Sequence, residues 1–262
     1  MYPIVISADI QNQAIHLYAR TMRQIIALAG FYQKTQLFLF TALLMFWMLF
    51  WPALARAQGV AQGVAQDLVQ DKPRQQTLVV LGDSLTAGYG LAQQDGFVGQ
   101  LRAALKSDYP HLTLINAGVS GDTSAGGLAR FDWSVPPETD FLIVALGGND
   151  LLRGLPPKAL SQNLEAIITK AKAKNMAVLL AGMRAPDNYG AAYQQAFDAV
   201  YPALAEKHGL ALMPFFLDGV AGDAQLNQPD GIHPNREGVA IMVANTLPHV
   251  QAMLDAAGEK GE

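Results

Sequence analysis

The sequence predicts one α/β domain, spanning about residues 77–256, built on a parallel β-sheet with helices on both faces. Three observations predict it. Short, nearly continuous apolar runs recur along this part of the chain, as strands buried on both faces require. Between them lie longer stretches whose apolar residues return every three or four positions, the period of a helix that packs by one side. The two kinds alternate, which implies right-handed β–α–β units and a parallel sheet.

The first strand is read at 77–81 (TLVVL), where branched apolar residues end at Gly82. A helix follows over 97–107, with Phe97, Leu101, Ala104 and Leu105 on one side. The second strand is 112–115 (LTLI) and the third 141–146 (FLIVAL). A long helix over 157–174 lines up Leu160, Leu164, Ile167, Ile168 and Ala171. The fourth strand is 177–181 (AVLLA), and a weaker run at 210–213 is the fifth. Residues 189–207 and 235–254 carry the helical period around that last strand. Sites in open parallel sheets lie beyond the C-terminal ends of the strands, so residues just after these runs carry the functional reading.

Upstream of the domain the pattern changes. Leu37 to Leu54 is an uncharged run, LFLFTALLMFWMLFWPAL, followed by Ala55-Arg56-Ala57. A basic flank (Arg20, Arg23, Lys34), an apolar core and an A-x-A site form the pattern of a secretory signal. The region before the apolar core is long for such a signal, and Met22 makes a more ordinary start. The run is also just long enough to span a bilayer, so an uncleaved membrane anchor is the alternative to cleavage after Ala57. Either reading of residues 1–57 places the remainder outside the cytoplasm, in the periplasm or the medium. Residues 58–76 repeat QGVA and then turn polar, a linker with too few bulky side chains to pack. Residues 257–262 read as a polar tail.

Composition excludes several classes. Removal of residues 1–57 takes away Arg20, Arg23, Lys34 and Arg56 against one acid, Asp9, and moves the net charge from −4 to about −7. Nucleic acid is thereby excluded as an expected partner, because phosphate binding needs a basic surface. The chain has no cysteine, so disulfides, thiolate zinc sites and a cysteine nucleophile are excluded.

Four segments at strand ends bear the chemistry. After the first strand comes Gly82-Asp83-Ser84-Leu85. Thr86 stands where a G-x-S-x-G nucleophile elbow needs glycine, and Ser84 alone reads equally as a helix cap. After the second strand, Gly118-Val119-Ser120-Gly121-Asp122-Thr123 offers backbone N–H groups that suit an anion; its glycines equally suit a turn ahead of a capped helix. After the third strand, Gly147-Gly148-Asn149-Asp150 presents a side-chain amide, or an Asx-type turn. Ahead of the last helix, Asp230-Gly231-Ile232-His233-Pro234 spaces an acid three residues before a histidine, so that on a turn the carboxylate reaches Nδ1 and leaves Nε2 free. His111, His208 and His249 have no matched carboxylate nearby in sequence and are expected on the surface. Together the segments supply a nucleophile, a base, an orienting acid and oxyanion donors, the parts needed for acyl transfer. The apolar stretch after Asn149, with Leu151, Leu152, Leu155 and Pro156, suits an acyl tail or simple packing beneath a loop.

These segments resemble, in order and spacing, the four blocks of the GDSL, or SGNH, hydrolases. The strings GDSLTAGYG, NAGVSGDTSAGGLAR, ALGGNDLLRG and DGIHP are similar to the branch of bacterial periplasmic thioesterases, lysophospholipases and arylesterases. The resemblance implies a three-layer, flavodoxin-like parallel sheet, and hydrolysis of small-molecule or lipid esters and thioesters without metal or organic cofactor. It assigns the nucleophile to Ser84, the base and acid to His233 and Asp230, and the oxyanion hole to Ser84, Gly121 and Asn149. Two other classes are weighed beside this one. A carbohydrate O-acetyl esterase would use an aromatic platform, for which Trp133 and Tyr189 are the candidates. A non-catalytic binding module is disfavoured by the complete Ser, His and Asp set. Membrane association would run through the N-terminal segment, and the oligomeric state is left open by the sequence.

Overall fold

The computed structural model describes residues 20–23, 43, 45 and 74–258. The chain divides into two compact units, Met1–Pro73 and Arg74–Glu262. In the first, the described residues are helical; the apolar run 37–54 as a whole, the A-x-A site and the linker up to residue 73 lie outside the described residues. The rest of this section concerns the second unit.

Strand β1 (Gln76–Gly82) is followed by a single helical turn, α1 (Ser84–Ala87), then α2 (Phe97–Leu105) and β2 (Leu112–Gly118). Two short helices, α3 (Ser124–Ala129) and α4 (Phe131–Ser134), lead to β3 (Phe141–Ala145). Another short helix, α5 (Gly148–Leu152), precedes the long α6 (Pro157–Ala173) and β4 (Ala177–Ala181). After a 3₁₀ turn at Asp187–Tyr189 come α7 (Ala191–Asp198), α8 (Val200–His208), β5 (Ala211–Met213) and the terminal α9 (Arg236–Gly258).

The five strands are all parallel, in the order β2-β1-β3-β4-β5. That is the doubly wound, flavodoxin-like order, with helices on both faces, as the sequence predicts. Its chemistry explains the burial. From Leu78 to Leu81, β1 has no exposed surface, because it is flanked by strands and covered on both sides. The edge strand β2 buries only Leu114 and Ala117 and exposes Thr113 and Asn116, which is why its apolar run reads short in sequence. It nonetheless extends to Gly118, three residues beyond the predicted end.

Helices α2 and α9 pack against each other, and α3 and α8 pack on α6. Leu160, Leu164, Ile167, Ile168 and Ala171 form the fully buried stripe of α6. One expected helix is two: the stretch 189–207 breaks between Asp198 and Val200. Pro202 has no N–H to donate to the Asp198 carbonyl. The Asp198 side chain instead accepts from the Ala185 N–H at 2.8 Å.

One packing detail places the site. Gly82 and Gly118 are register partners at the ends of β1 and β2. A β-carbon on Gly82 would lie 2.4 Å from Thr86 Oγ1, and one on Gly118 would lie 2.4 Å from the Ala87 nitrogen. The two missing side chains form a notch into which α1 settles. Thr86 is fully buried in it and donates to the Asp83 carbonyl at 3.1 Å.

Candidate active site

The first strand turns into α1 through Asp83, whose side chain accepts from the Leu85 N–H at 3.1 Å and caps the helix. Ser84 is therefore the first residue of a helix seated on the sheet rim, and the cap is its neighbour. Asp83 is 2% exposed. Burial, opposed by bonds from the Leu85 N–H and the Asn149 amide and by the nearby His233, pushes its pKa up from 3.8 to about 6.

The Asp230–His233 turn is built locally. Asp230 Oδ1 accepts from the Ile232 and His233 N–H groups at 2.9 and 3.0 Å. Its Oδ2 lies 2.7 Å from His233 Nδ1. Bonds from the His233 N–H, the His233 ring and the Ile232 N–H hold the Asp230 pKa down at about 2. On the other side of the ring, His233 Nε2 is 2.8 Å from Ser84 Oγ. The acceptor at Nδ1 assigns that proton to Nδ1, so Nε2 faces the hydroxyl as an acceptor. The Tyr89 ring lies 4.5 Å from the imidazole, tilted by 36°.

Gly121 and Asn149 reach the same cleft from β2 and β3. The Asp122 N–H donates to the Val119 carbonyl at 3.1 Å, closing a turn in which Gly121 has φ 86°. Positive φ at the third residue is the signature of a type II turn, which favours glycine. Arg153 donates to the Gly121 carbonyl at 2.7 Å. Asn149 is the second residue of α5, not part of a loop, and its Nδ2 donates to Asp83 Oδ2 at 3.3 Å. An amide nitrogen carries two protons, so one remains to face the cleft. Among the described residues, the Ser84 and Gly121 N–H groups have no acceptor.

Charged groups missed by the sequence reading brace these loops. Asp150, 1% exposed, accepts from the Ser124 N–H at 2.7 Å and hydroxyl at 2.6 Å, tying α5 to α3. Arg130 bonds Asp122 at 2.5 Å and the Gly82 carbonyl at 2.9 Å, tying the Gly121 loop to β1. For Asp150 the signal in the sequence is a charge just after the third strand amid small residues; Arg130, at the junction of α3 and α4, gives no such signal.

The cleft holds about 710 Å³. Leu151 and Leu152 line it, with Met183, Phe215, Leu217 and Ile232. Leu155 and Pro156, expected along the acyl path, do not line it. Because 148–152 is helical, these two residues become the lead-in to α6: Pro156 is its N-cap and the Leu155 carbonyl accepts from Tyr193. Trp133 and Tyr189 do not line the cleft either. His208 departs from expectation: it is half-buried, with Nε2 3.6 Å from Glu165, a partner brought from α6 by the fold. Among the described residues, no group of His, Asp and Glu is arranged to hold a metal ion.

A serine hydrogen-bonded to an imidazole that a carboxylate holds, at the open end of a parallel sheet, is the arrangement of a serine hydrolase. The comparisons carry this to a family. Residues 80–241 match the GDSL-like lipase/acylhydrolase family. Esterase TesA of Pseudomonas aeruginosa is 44% identical over 180 residues, covering 68% of this chain and 90% of that protein. Thioesterase 1/protease 1/lysophospholipase L1 of Escherichia coli K12 is 42% identical over 162 residues, covering 62% and 76%. The psychrotrophic esterase EstA from Pseudoalteromonas sp., in a structure inhibited by monoethylphosphonate, superposes with a TM-score of 0.65 at 34% identity, over 68% of this chain and 98% of that one. The chain belongs to the GDSL-like lipase/acylhydrolase family.

Proposed function

We propose that the protein cleaves carboxylic esters and thioesters of acyl chains through an acyl-Ser84 intermediate. The observation that carries this reading is the unbroken line from Ser84 Oγ to His233 Nε2, 2.8 Å, and from His233 Nδ1 to Asp230 Oδ2, 2.7 Å. His233 takes the hydroxyl proton as Ser84 Oγ attacks the acyl carbon. The same proton passes to the departing alcohol or thiol, leaving acyl-Ser84. Water, deprotonated by His233, then attacks; the acid departs and Ser84 regains its proton. Asp230 fixes the tautomer and stabilises the imidazolium.

The Ser84 and Gly121 N–H groups and the free proton of the Asn149 amide stabilise the oxyanion. The acyl tail lies along Leu151 and Leu152. The Pseudomonas and Escherichia relatives, named as an esterase and as a thioesterase and lysophospholipase, support this class over the carbohydrate esterase, whose aromatic candidates stand outside the cleft. Export, by a cleaved signal or an anchor at 37–54, rests on the sequence pattern alone. Among the described residues no helix is long and apolar enough to cross a membrane.

Ser84→Ala is the decisive test. It is expected to lower turnover of p-nitrophenyl esters by more than about 1,000-fold and to abolish covalent labelling by a fluorophosphonate. A folded Ser84→Ala protein with wild-type turnover overturns the reading. Comparing p-nitrophenyl acetate, p-nitrophenyl octanoate, an acyl-CoA and an acetylated glycan separates the substrate classes.

A further inference from the structure

Ser84 and His233 stand 149 residues apart, on segments that must meet to within a hydrogen bond. Asp230 cannot bring them together. All its bonds lie within its own turn, so acid and imidazole move as a unit. Gln228 spans the gap. Its Nε2 donates to the Tyr89 carbonyl at 2.8 Å, on the segment that follows Ser84. The same nitrogen donates to the Pro234 carbonyl at 3.0 Å, next to the base. Its backbone N–H donates to the His233 carbonyl at 2.7 Å.

The amide has one workable orientation. Turned over, its oxygen would face two carbonyl oxygens. The oxygen instead lies against the bare α-carbon of Gly90, where a β-carbon would stand 2.1 Å from it. Gln228 does not line the cleft, so it is placed to act through other groups rather than on substrate.

We propose that Gln228 is a positioning residue, which sets the Ser84–His233 distance by clamping the Tyr89 and Pro234 carbonyls to one amide. The inference rests on the reading of Ser84 as nucleophile and His233 as base. A misplacement of about 1 Å costs on the order of 100-fold, so a loosened clamp acts on turnover and leaves the cleft wall that binds substrate intact.

The test uses Gln228→Met, which keeps length without a donor, and Gln228→Glu, which sets a carboxylate against two carbonyls. Each is expected to lower kcat for a soluble short-chain ester by about 10- to 100-fold, with KM within about twofold. The rate of Ser84 phosphonylation by a fluorophosphonate should fall by the same factor, with melting temperatures within a few degrees of wild type. Gly90→Ala pushes the amide aside and also strains a backbone at φ 73°; the part of its kcat loss that comes from the amide should disappear in a Gln228→Ala background, a non-additive cycle.

Gln228→Met and Gln228→Glu proteins with wild-type kcat and phosphonylation overturn the clamp. So does a loss that tracks only the fraction of folded protein. If Ser84→Ala itself hydrolyses esters, the nucleophile reading has failed instead.

Discussion

Asp83 carries a cost that its neighbours share. Its folded pKa of about 6 exceeds the ordinary 3.8, so the folded state binds more protons than the unfolded chain between those values. The Asp83 contribution to stability is therefore fully present below about pH 4, is lost as pH rises through about 6, and is level above, an amount on the order of 3 kcal/mol. Asp83→Asn should flatten that slope, measured by urea unfolding at pH 4 and 7. The same change sets an amide against Asn149 Nδ2 and should lower kcat about tenfold. Asp230 behaves with the opposite sign. Its pKa, held down at about 2, gives a contribution present above pH 3.8 that is lost only as pH falls through about 2. Asn149→Ala removes one oxyanion donor and should lower kcat by about 100- to 1,000-fold with little change in KM.

The Gly121 turn is an element whose backbone N–H, not a side chain, is proposed to hold the oxyanion. A β-carbon there would meet only Arg153, at 3.9 Å, so space is available and φ 86° is the obstacle. Gly121→Ala should cost about 1–2 kcal/mol in stability and, by turning the N–H away, about 100-fold in kcat. A variant that keeps wild-type kcat would show that this N–H is idle. The same scale shows what the sequence discloses. Three central runs, β1, β3 and β4, read as strands because burial on both faces leaves an uninterrupted apolar signal. The residues Ser84, Gly121, Asn149, Asp230 and His233 stand out because each follows a run or opens a helix. Short helices do not show in the sequence: Gly148–Leu152 has too few residues for a period, so the pattern alone joins Leu155 and Pro156 to Leu151 as one loop. Contacts between distant segments, Glu165 with His208 or Gln228 with Tyr89, leave no trace in local pattern.

The whole molecule gathers these parts at one place. In the order β2-β1-β3, the chain leaves β1 on one side and returns past it to β3, and the rim beyond β1 is the crevice such sheets offer a ligand. A chain beginning at Gln58 should unfold in one transition and hydrolyse p-nitrophenyl esters like the full chain; N-terminal sequencing of exported protein should read Gln58 first if the signal is cleaved. The notch left by Gly82 and Gly118 has a further consequence, visible in time rather than in space. The nucleophile's helix is held by backbone lodged in the sheet core, whereas the acid and base ride on a surface turn. The Ala87 amide, which donates to the Asp83 carbonyl at 2.9 Å against the sheet, should exchange with solvent only when the whole sheet opens, while those of Ile232 and His233 should exchange through local opening at much lower free energy. Warming would then silence the enzyme by freeing the base from a serine that has not yet moved.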